Sequence, residues 1–165
     1  MILYVLRHGI AALRGTAEYP DDSTRPLTGK GEKKMRRIAG GMEALGLEFD
    51  LILSSPFLRA RQTAEIVATA FQGEKKLELT PLLEVGAETE DLVRDLVSRE
   101  VENVLLVGHE PFLSTLVALL ISGDPATEIR MKKGGLCMLS AQHLIHGRCA
   151  TLEWLLTPAQ LTRLR

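Results

Sequence analysis

Two histidines each follow an apolar run directly. Arg7-His8-Gly9 comes after Ile2-Leu3-Tyr4-Val5-Leu6, and Gly108-His109-Glu110 comes after Asn103-Val104-Leu105-Leu106-Val107. A third polar motif, Ser54-Ser55-Pro56 with Arg59 beyond it, closes the run Leu51-Ile52-Leu53. Two arginines beside two histidines make an anion site, because guanidinium forks match phosphate oxygens and stay charged at any working pH. A phosphoryl group is the natural guest. A neutral imidazole attacks phosphorus near neutral pH without a separate base to deprotonate it. No His-x-His or His-Glu-x-x-His spacing of metal-ligand type is present. Side chains and helix N-termini are therefore expected to meet the charge of a phosphoryl-transfer transition state, with no metal and no cofactor. Ser54 and Ser55 lack the Gly-x-Ser-x-Gly surroundings of a serine nucleophile and are expected to cap the helix that follows.

For these motifs to act together, the elements carrying them must bring their ends to one place. The opening hexapeptide reads as a buried strand, Leu51–Leu53 and Leu77–Leu79 as short strands, and 103–107 as another buried strand. Between them lie amphipathic helices. Met35, Ile38, Met42 and Leu45 mark the first, Phe57 to Phe71 the second, Glu90 to Val97 the third and Phe112 to Ile121 the fourth. Gly40-Gly41 weakens the last turn of the first helix, and residues 10–28 form a long loop of the length that is often functional. Leu136–Ser140 and Cys149–Leu155 suggest two adjacent strands, and Pro158 opens a short last helix. Alternating strands and helices imply α/β class, a three-layer α/β/α sandwich with a mostly parallel sheet. Ligands of such folds sit outside the carboxyl ends of the strands, where all three polar motifs fall.

The motifs together resemble the histidine phosphatase superfamily, also called phosphoglycerate-mutase-like. The likeness rests on Leu6-Arg7-His8-Gly9, on Ser54-Ser55-Pro56-Phe57-Leu58-Arg59-Ala60-Arg61-Gln62-Thr63-Ala64, and on Val107-Gly108-His109-Glu110-Pro111. Within it, the short length, Asp22-Ser23-Thr24-Arg25-Pro26-Leu27-Thr28 and the Ser-Ser-Pro-Phe-Leu-Arg-Ala run look most like the SixA-type phosphohistidine phosphatases. By element order the likeness spans nearly the whole chain, expected as a single domain over 1–165, although the last thirty or so residues carry no diagnostic motif. The resemblance implies that His8 is the nucleophile that becomes phosphorylated and that Arg7, Arg59 and His109 bind the phosphoryl oxygens. His8 must be neutral to attack and His109 is most useful protonated, so the fold is expected to push the two imidazole pKa values apart.

Larger family members use a glutamate after the third strand as general acid, and Glu84 stands at a similar place. SixA-type proteins are thought to manage without one, because an imidazole leaves a phosphoramidate with less help than an alkoxide leaves an ester. Glu84 therefore separates two substrate classes, a phosphohistidine-bearing protein and a small phosphate ester. Between Pro81 and Val101 there are too few residues for an enclosing cap, which suits a protein substrate and disfavours a mutase, whose intermediate must be kept from water. A noncatalytic phosphoprotein-binding module is the rival from outside enzymology. Arg25 either reaches the phosphate or substrate, or forms a surface ion pair with Asp21 or Asp22. Arg61 should point away from Arg59, while Gln62 and Thr63 should hydrogen-bond around the site.

Composition sets the remaining bounds. The 165 residues carry a formal net charge of -1, with 45% hydrophobic and 25% charged residues, which fits a globular domain and disfavours a broadly basic nucleic-acid binder. The run Lys30, Lys33, Lys34, Arg36 and Arg37 lacks interleaved aromatics and reads as a solvated helix face or a steering surface for an acidic partner. No apolar run approaches the ~20 residues that span a bilayer, and the opening residues read as a strand rather than a signal peptide. Cys137 and Cys149 are expected as buried thiols in a reducing cytoplasm, with a disulfide between them left open. His143 and His146 are expected at the surface.

Overall fold

The computed structural model describes residues 1–164. Four parallel strands form the body of one six-stranded sheet: β1 (Ile2–Arg7), β2 (Leu51–Ser54), β3 (Leu77–Leu79) and β4 (Asn103–Gly108). Next to β1, β5 (Leu136–Ser140) runs antiparallel, and β6 (Thr151–Leu156) runs antiparallel to β5, giving the order β3-β2-β4-β1-β5-β6. The helices are α1 (Gly29–Ala44), α2 (Leu58–Ala70), α3 (Thr89–Ser98), α4 (Phe112–Ser122) and the short α5 (Pro158–Leu161). Among the described residues no helix is long and apolar enough to cross a membrane.

The central strands are apolar throughout because both of their faces are covered. Successive side chains of β1 alternate: Leu3 and Val5 join the core under α3 and α4, whereas Tyr4 and Leu6 join the core under α1, α2 and α5. Met35, Ile38, Ala39 and Met42 of α1 supply one layer, and Leu92, Val93 and Leu96 of α3 with Leu113, Leu116 and Val117 of α4 supply the other. The three-layer α/β/α architecture follows from these two apolar stripes facing opposite sides of one sheet.

Gly40-Gly41 does not fray α1. A methyl group on Gly41 would fall inside contact distance of the Leu161 carbonyl, so the missing side chain lets α5 lie against α1. At the other end of α1, Thr28 accepts a hydrogen bond from the Gly31 amide at 3.0 Å and caps the helix. Gly31 itself lies against the Ile10 carbonyl with no room for a methyl, which fixes the start of α1 to the loop just after His8.

Two expectations for the C-terminal part need correction. Cys149 is partly exposed at the edge of the core, its sulfur hydrogen-bonded to the Ile145 backbone, and it precedes β6, which begins at Thr151. Cys137 is buried, and both thiols are free. His143 and His146 are exposed, as expected.

Candidate active site

Strands β2, β4 and β1 are neighbours, and their register levels the three motifs. Val107 pairs with Leu6 on one side and with Ser54 on the other, so the residues that follow each emerge side by side at the carboxyl edge. Backbone bonds continue past the strands: His8 N–H donates to the Gly108 carbonyl at 3.1 Å and Ser55 N–H to that of Val107 at 3.0 Å. The sheet thus delivers two histidines to one point. Their ring centroids lie 5.1 Å apart, and both side chains are buried.

His8 has a defined tautomer. Its Nδ1 lies 2.7 Å from the Gly9 carbonyl, which only an N–H can approach usefully, so Nδ1 carries the proton and Nε2 the lone pair. Arg59 Nε donates to that Nε2 at 3.3 Å. Gly9 is held in turn: its N–H donates at 3.0 Å to Thr63 Oγ1, whose own hydroxyl donates at 2.7 Å to the Arg59 carbonyl. Thr63 therefore ties the loop after His8 to the first turns of α2.

His109 is held by Ser55. The Ser55 hydroxyl lies 2.8 Å from His109 Nε2, and it already accepts from the Phe57 amide at 3.3 Å. Among the described residues, Nδ1 of His109 is buried with no hydrogen-bond partner, as is Nε of Arg7. The ring of Phe57 packs 5.1 Å from His109, and the Arg59 guanidinium stands 5.2 Å over the same phenyl ring. The expectation that Ser54 and Ser55 cap α2 is corrected, because the N-cap position is Phe57 and no side chain caps it. Ser54 instead donates to the Ser55 carbonyl, and Ser55 reaches across to the neighbouring strand end.

Arg59 and Arg25 share one carboxylate. Asp22 accepts from Arg59 at 2.9 Å through Oδ2 and from Arg25 at 2.9 Å through Oδ1, and its carbonyl takes a second Arg59 N–H at 2.7 Å. Burial raises the Asp22 carboxyl, but Arg59 and Arg25 outweigh that effect and hold it below the usual carboxylate range. Arg25 pairs with Asp22 as one reading expected. It is nonetheless buried, not on the surface, because its guanidinium also donates to the Ala12 carbonyl at 2.6 Å and locks the long loop. Gln62 braces the same loop by accepting from Leu27 N–H at 2.7 Å. Arg61 points outward to Glu65 at 2.7 Å.

Arg7 donates to the Met131 carbonyl at 2.7 Å, and its charge bears on both histidines. Lys133, not singled out in the sequence, lies near this cluster. Desolvation and the charges of Arg7, Arg25 and Arg59 lower its pKa. Glu84 is half-buried and lines an open groove of about 530 Å3 with Ser23, Thr24, Phe57, Leu58 and Arg61. No hydrogen bond ties it to His8 or His109 among the described residues. Those residues also hold no cluster of His, Cys, Asp or Glu suited to a metal ion.

The two imidazoles are not pushed apart. Burial lowers His8 to about 3, helped by His109, Arg59 and Arg7 and opposed by the Gly9 carbonyl. Burial likewise lowers His109 to about 3, with Arg59 adding to the effect and Asp22 opposing it. Desolvation dominates at both sites, so both rings are neutral at ordinary pH.

Comparison with known proteins identifies the family. Residues 3–84 fit the model of the histidine phosphatase superfamily, branch 1. The phosphohistidine phosphatase SixA of Escherichia coli K12 is 37% identical over 128 residues, covering 75% of this chain and 76% of that protein. The chain belongs to the histidine phosphatase superfamily. It is a phosphatase of that superfamily, and its phosphoglycerate-mutase-like fold is shared with a solved protein histidine phosphatase SixA in complex with tungstate. The two superimpose with a TM-score of 0.84 at 30% identity, over 98% of this chain and 99% of that one. An uncharacterized protein of Picosynechococcus is 41% identical over 144 residues, 82% of either chain.

Proposed function

We propose that the protein hydrolyses phosphohistidine on a signalling or phosphotransfer protein through a phosphohistidine intermediate on His8. The observation that carries the chemistry is the His8 ring. With Nδ1–H given to the Gly9 carbonyl at 2.7 Å, the Nε2 lone pair is the only nucleophilic position left. Nε2 attacks phosphorus, a P–N bond forms to His8, and the P–N bond to the substrate imidazole breaks. A substrate ring protonated on its second nitrogen leaves as neutral imidazole. Water then attacks phosphorus, the P–Nε2 bond breaks, and phosphate departs as His8 regains its lone pair. The charge on phosphorus-bound oxygens is met by Arg7, Arg59 and His109. The two buried nitrogens without protein partners, Arg7 Nε and His109 Nδ1, supply hydrogen bonds that such an oxyanion can accept. Arg59 keeps two of its five N–H groups beyond those spent on Asp22 and His8. The tungstate held by the solved SixA is an oxyanion of related shape.

The substrate class rests on the acids. Asp22 is held ionised by two guanidiniums and cannot donate a proton near neutral pH. Glu84 stands to one side in an open groove. A leaving imidazole tolerates that arrangement better than an alkoxide does, and the likeness to the Escherichia coli phosphohistidine phosphatase points the same way. A small phosphate monoesterase is the second reading, favoured by the groove that joins Glu84 to Phe57, which touches His109. The deciding experiment is phosphate release from a phosphohistidine-carrying phosphotransfer domain beside a panel of phosphate monoesters, with His8→Ala as control. Preference for phosphohistidine, abolished in His8→Ala, is expected. Preference for the esters would overturn the reading.

A further inference from the structure

The exposed face of α1 is built against the rules that stabilise helices. Lys30 lies in its first turn, where the helix dipole favours acids, and Lys33 and Lys34 follow in the second. Lys30 with Lys33, Lys30 with Lys34, Lys33 with Arg37 and Lys34 with Arg37 are like-charge neighbours at three- and four-residue spacing, each of which weakens a helix. None of these four cations has a carboxylate partner among the described residues, whereas Arg36, Arg61, Arg94 and Arg99 are all ion-paired. Sequence choices that oppose local stability mark functional surfaces. The same four side chains line an open groove of about 610 Å3 with Ala159 and Thr162. With a net charge of only -1 for the whole chain, the positive character is local.

This face adjoins the site. Ile10, two residues after His8, accepts the Thr28 amide at 2.9 Å and has Gly31 packed on its carbonyl, so the start of α1 rests on the nucleophile loop. Exposed Lys132 precedes Lys133, which lies close enough to Arg7, Arg25 and Arg59 for their charges to bear on it. The next residue, Gly134, donates its N–H to the Arg7 and His8 carbonyls at 3.0 and 3.2 Å and sits against Ile38 of α1 and Pro158 of α5.

Resting on the function proposed above, we infer that the α1 face is the docking surface for the phosphohistidine-bearing protein, and that this partner surrounds its phosphohistidine with aspartate and glutamate side chains. Charge complementarity identifies the occupant. The partner must present a phosphoryl anion at the mouth, and the adjoining α1 face offers the carboxylates flanking it four cations that have no carboxylate partner among the described residues. Nucleic acid is disfavoured, since no aromatic ring is interleaved with the lysines for bases to stack on.

The test compares wild type with K33E/R37E, two positions outside the catalytic site. The substrates are an acidic phosphotransfer domain phosphorylated on histidine, and free phosphohistidine. At low salt, kcat/KM on the domain is expected to fall about tenfold or more, through KM and not kcat. Turnover of free phosphohistidine should stay unchanged. Raising ionic strength from about 0.05 M to about 0.5 M should bring wild type down toward the variant, since the Debye length shrinks well below 10 Å. The neutral pair K33Q/R37Q should lose the same docking while unfolding no earlier than wild type. Equal turnover of the domain by wild type and K33E/R37E would overturn the inference. So would equal loss on both substrates, or a single-stranded oligonucleotide bound by wild type and released by K33E/R37E with domain turnover intact. Failure of wild type on both phosphohistidine substrates, with esters hydrolysed, would remove the proposed function and the docking surface with it.

Discussion

The hydroxyl of Ser55 sits 2.8 Å from Nε2 of His109, on a strand end next to the one that carries the histidine. Because Ser55 Oγ already accepts from the Phe57 amide, its own proton is free to be donated to Nε2. That choice places the His109 proton on Nδ1, the buried nitrogen with no protein partner. On the mechanism proposed above, His109 would then serve as a neutral N–H donor toward the phosphoryl group, a role that does not require it to be cationic.

Ser55→Ala removes this constraint. It leaves the His109 Nε2 and the Phe57 amide unpaired in a buried place, which costs about 1–3 kcal/mol of stability. Loss of ring orientation should lower kcat by about tenfold to a hundredfold. Nitrogen chemical shifts of His109 distinguish this from simple destabilisation. The wild type should show protonated Nδ1 and Ser55→Ala a mixture of tautomers. An unchanged shift pattern would remove Ser55 as a positioning residue.

Acid should unfold the protein earlier than its carboxylates alone would require. His8 and His109 are held at about 3 when folded against an ordinary 6.5. Between those values the unfolded chain binds two protons that the folded chain does not, so stability is complete above pH 6.5 and is lost as pH falls toward 3. The slope from two such groups is at most about 2.7 kcal/mol per pH unit near pH 5. Urea midpoints measured at pH 7.5 and pH 5 should differ clearly, and His109→Asn should halve the difference. A midpoint independent of pH over that range would contradict the burial argument.

On the proposed function, Asp22 opposes the anion that Arg59 would bind. It pairs with Arg59 and Arg25 and so places a negative charge beside the guanidinium proposed to hold the phosphoryl group. In Asp22→Asn, the carbonyl oxygen of the new side chain can still accept an arginine N–H, but the charge is gone. Product phosphate is therefore expected to inhibit more tightly. Stability should fall by about 1–2 kcal/mol, less than for a fully buried pair because Asp22 is partly exposed. Inhibition constants and thermal melts report the two effects separately, and weaker phosphate inhibition would count against this view.

What was legible in the sequence follows from where physics leaves a period. Buried parallel strands read as unbroken apolar runs, so Arg7-His8, Ser54-Ser55 and Gly108-His109 marked their own strand ends, and β-sheet order brought them together. The loop of residues 10–28 has no period, so nothing there separated Asp22 from its neighbour Asp21. Only the Asp-x-x-Arg spacing to Arg25 hinted at an ion pair. Ser55 resembled a helix cap because its partner lies 54 residues away in sequence, at the end of the neighbouring strand. The histidine pKa values depend on burial of both rings by elements from the whole chain, which no local pattern records.

Glu84 is expected to matter for esters and not for phosphohistidine. Its carboxylate lies in the groove beside Phe57, within the surroundings of the mouth but bonded to neither histidine. If an ester is the natural substrate, its alkoxide needs a proton as it leaves, and Glu84 is the acid placed to swing toward it. Glu84→Gln should then slow monoester hydrolysis by ~10² or more while leaving phosphohistidine turnover almost unchanged. If phosphohistidine is the natural substrate, the same variant should behave as wild type in the reaction that matters and fail only on esters. Steady-state kinetics on both substrates give the comparison directly. Equal slowing of both would show that Glu84 acts on the shared step at His8, which the geometry does not provide for.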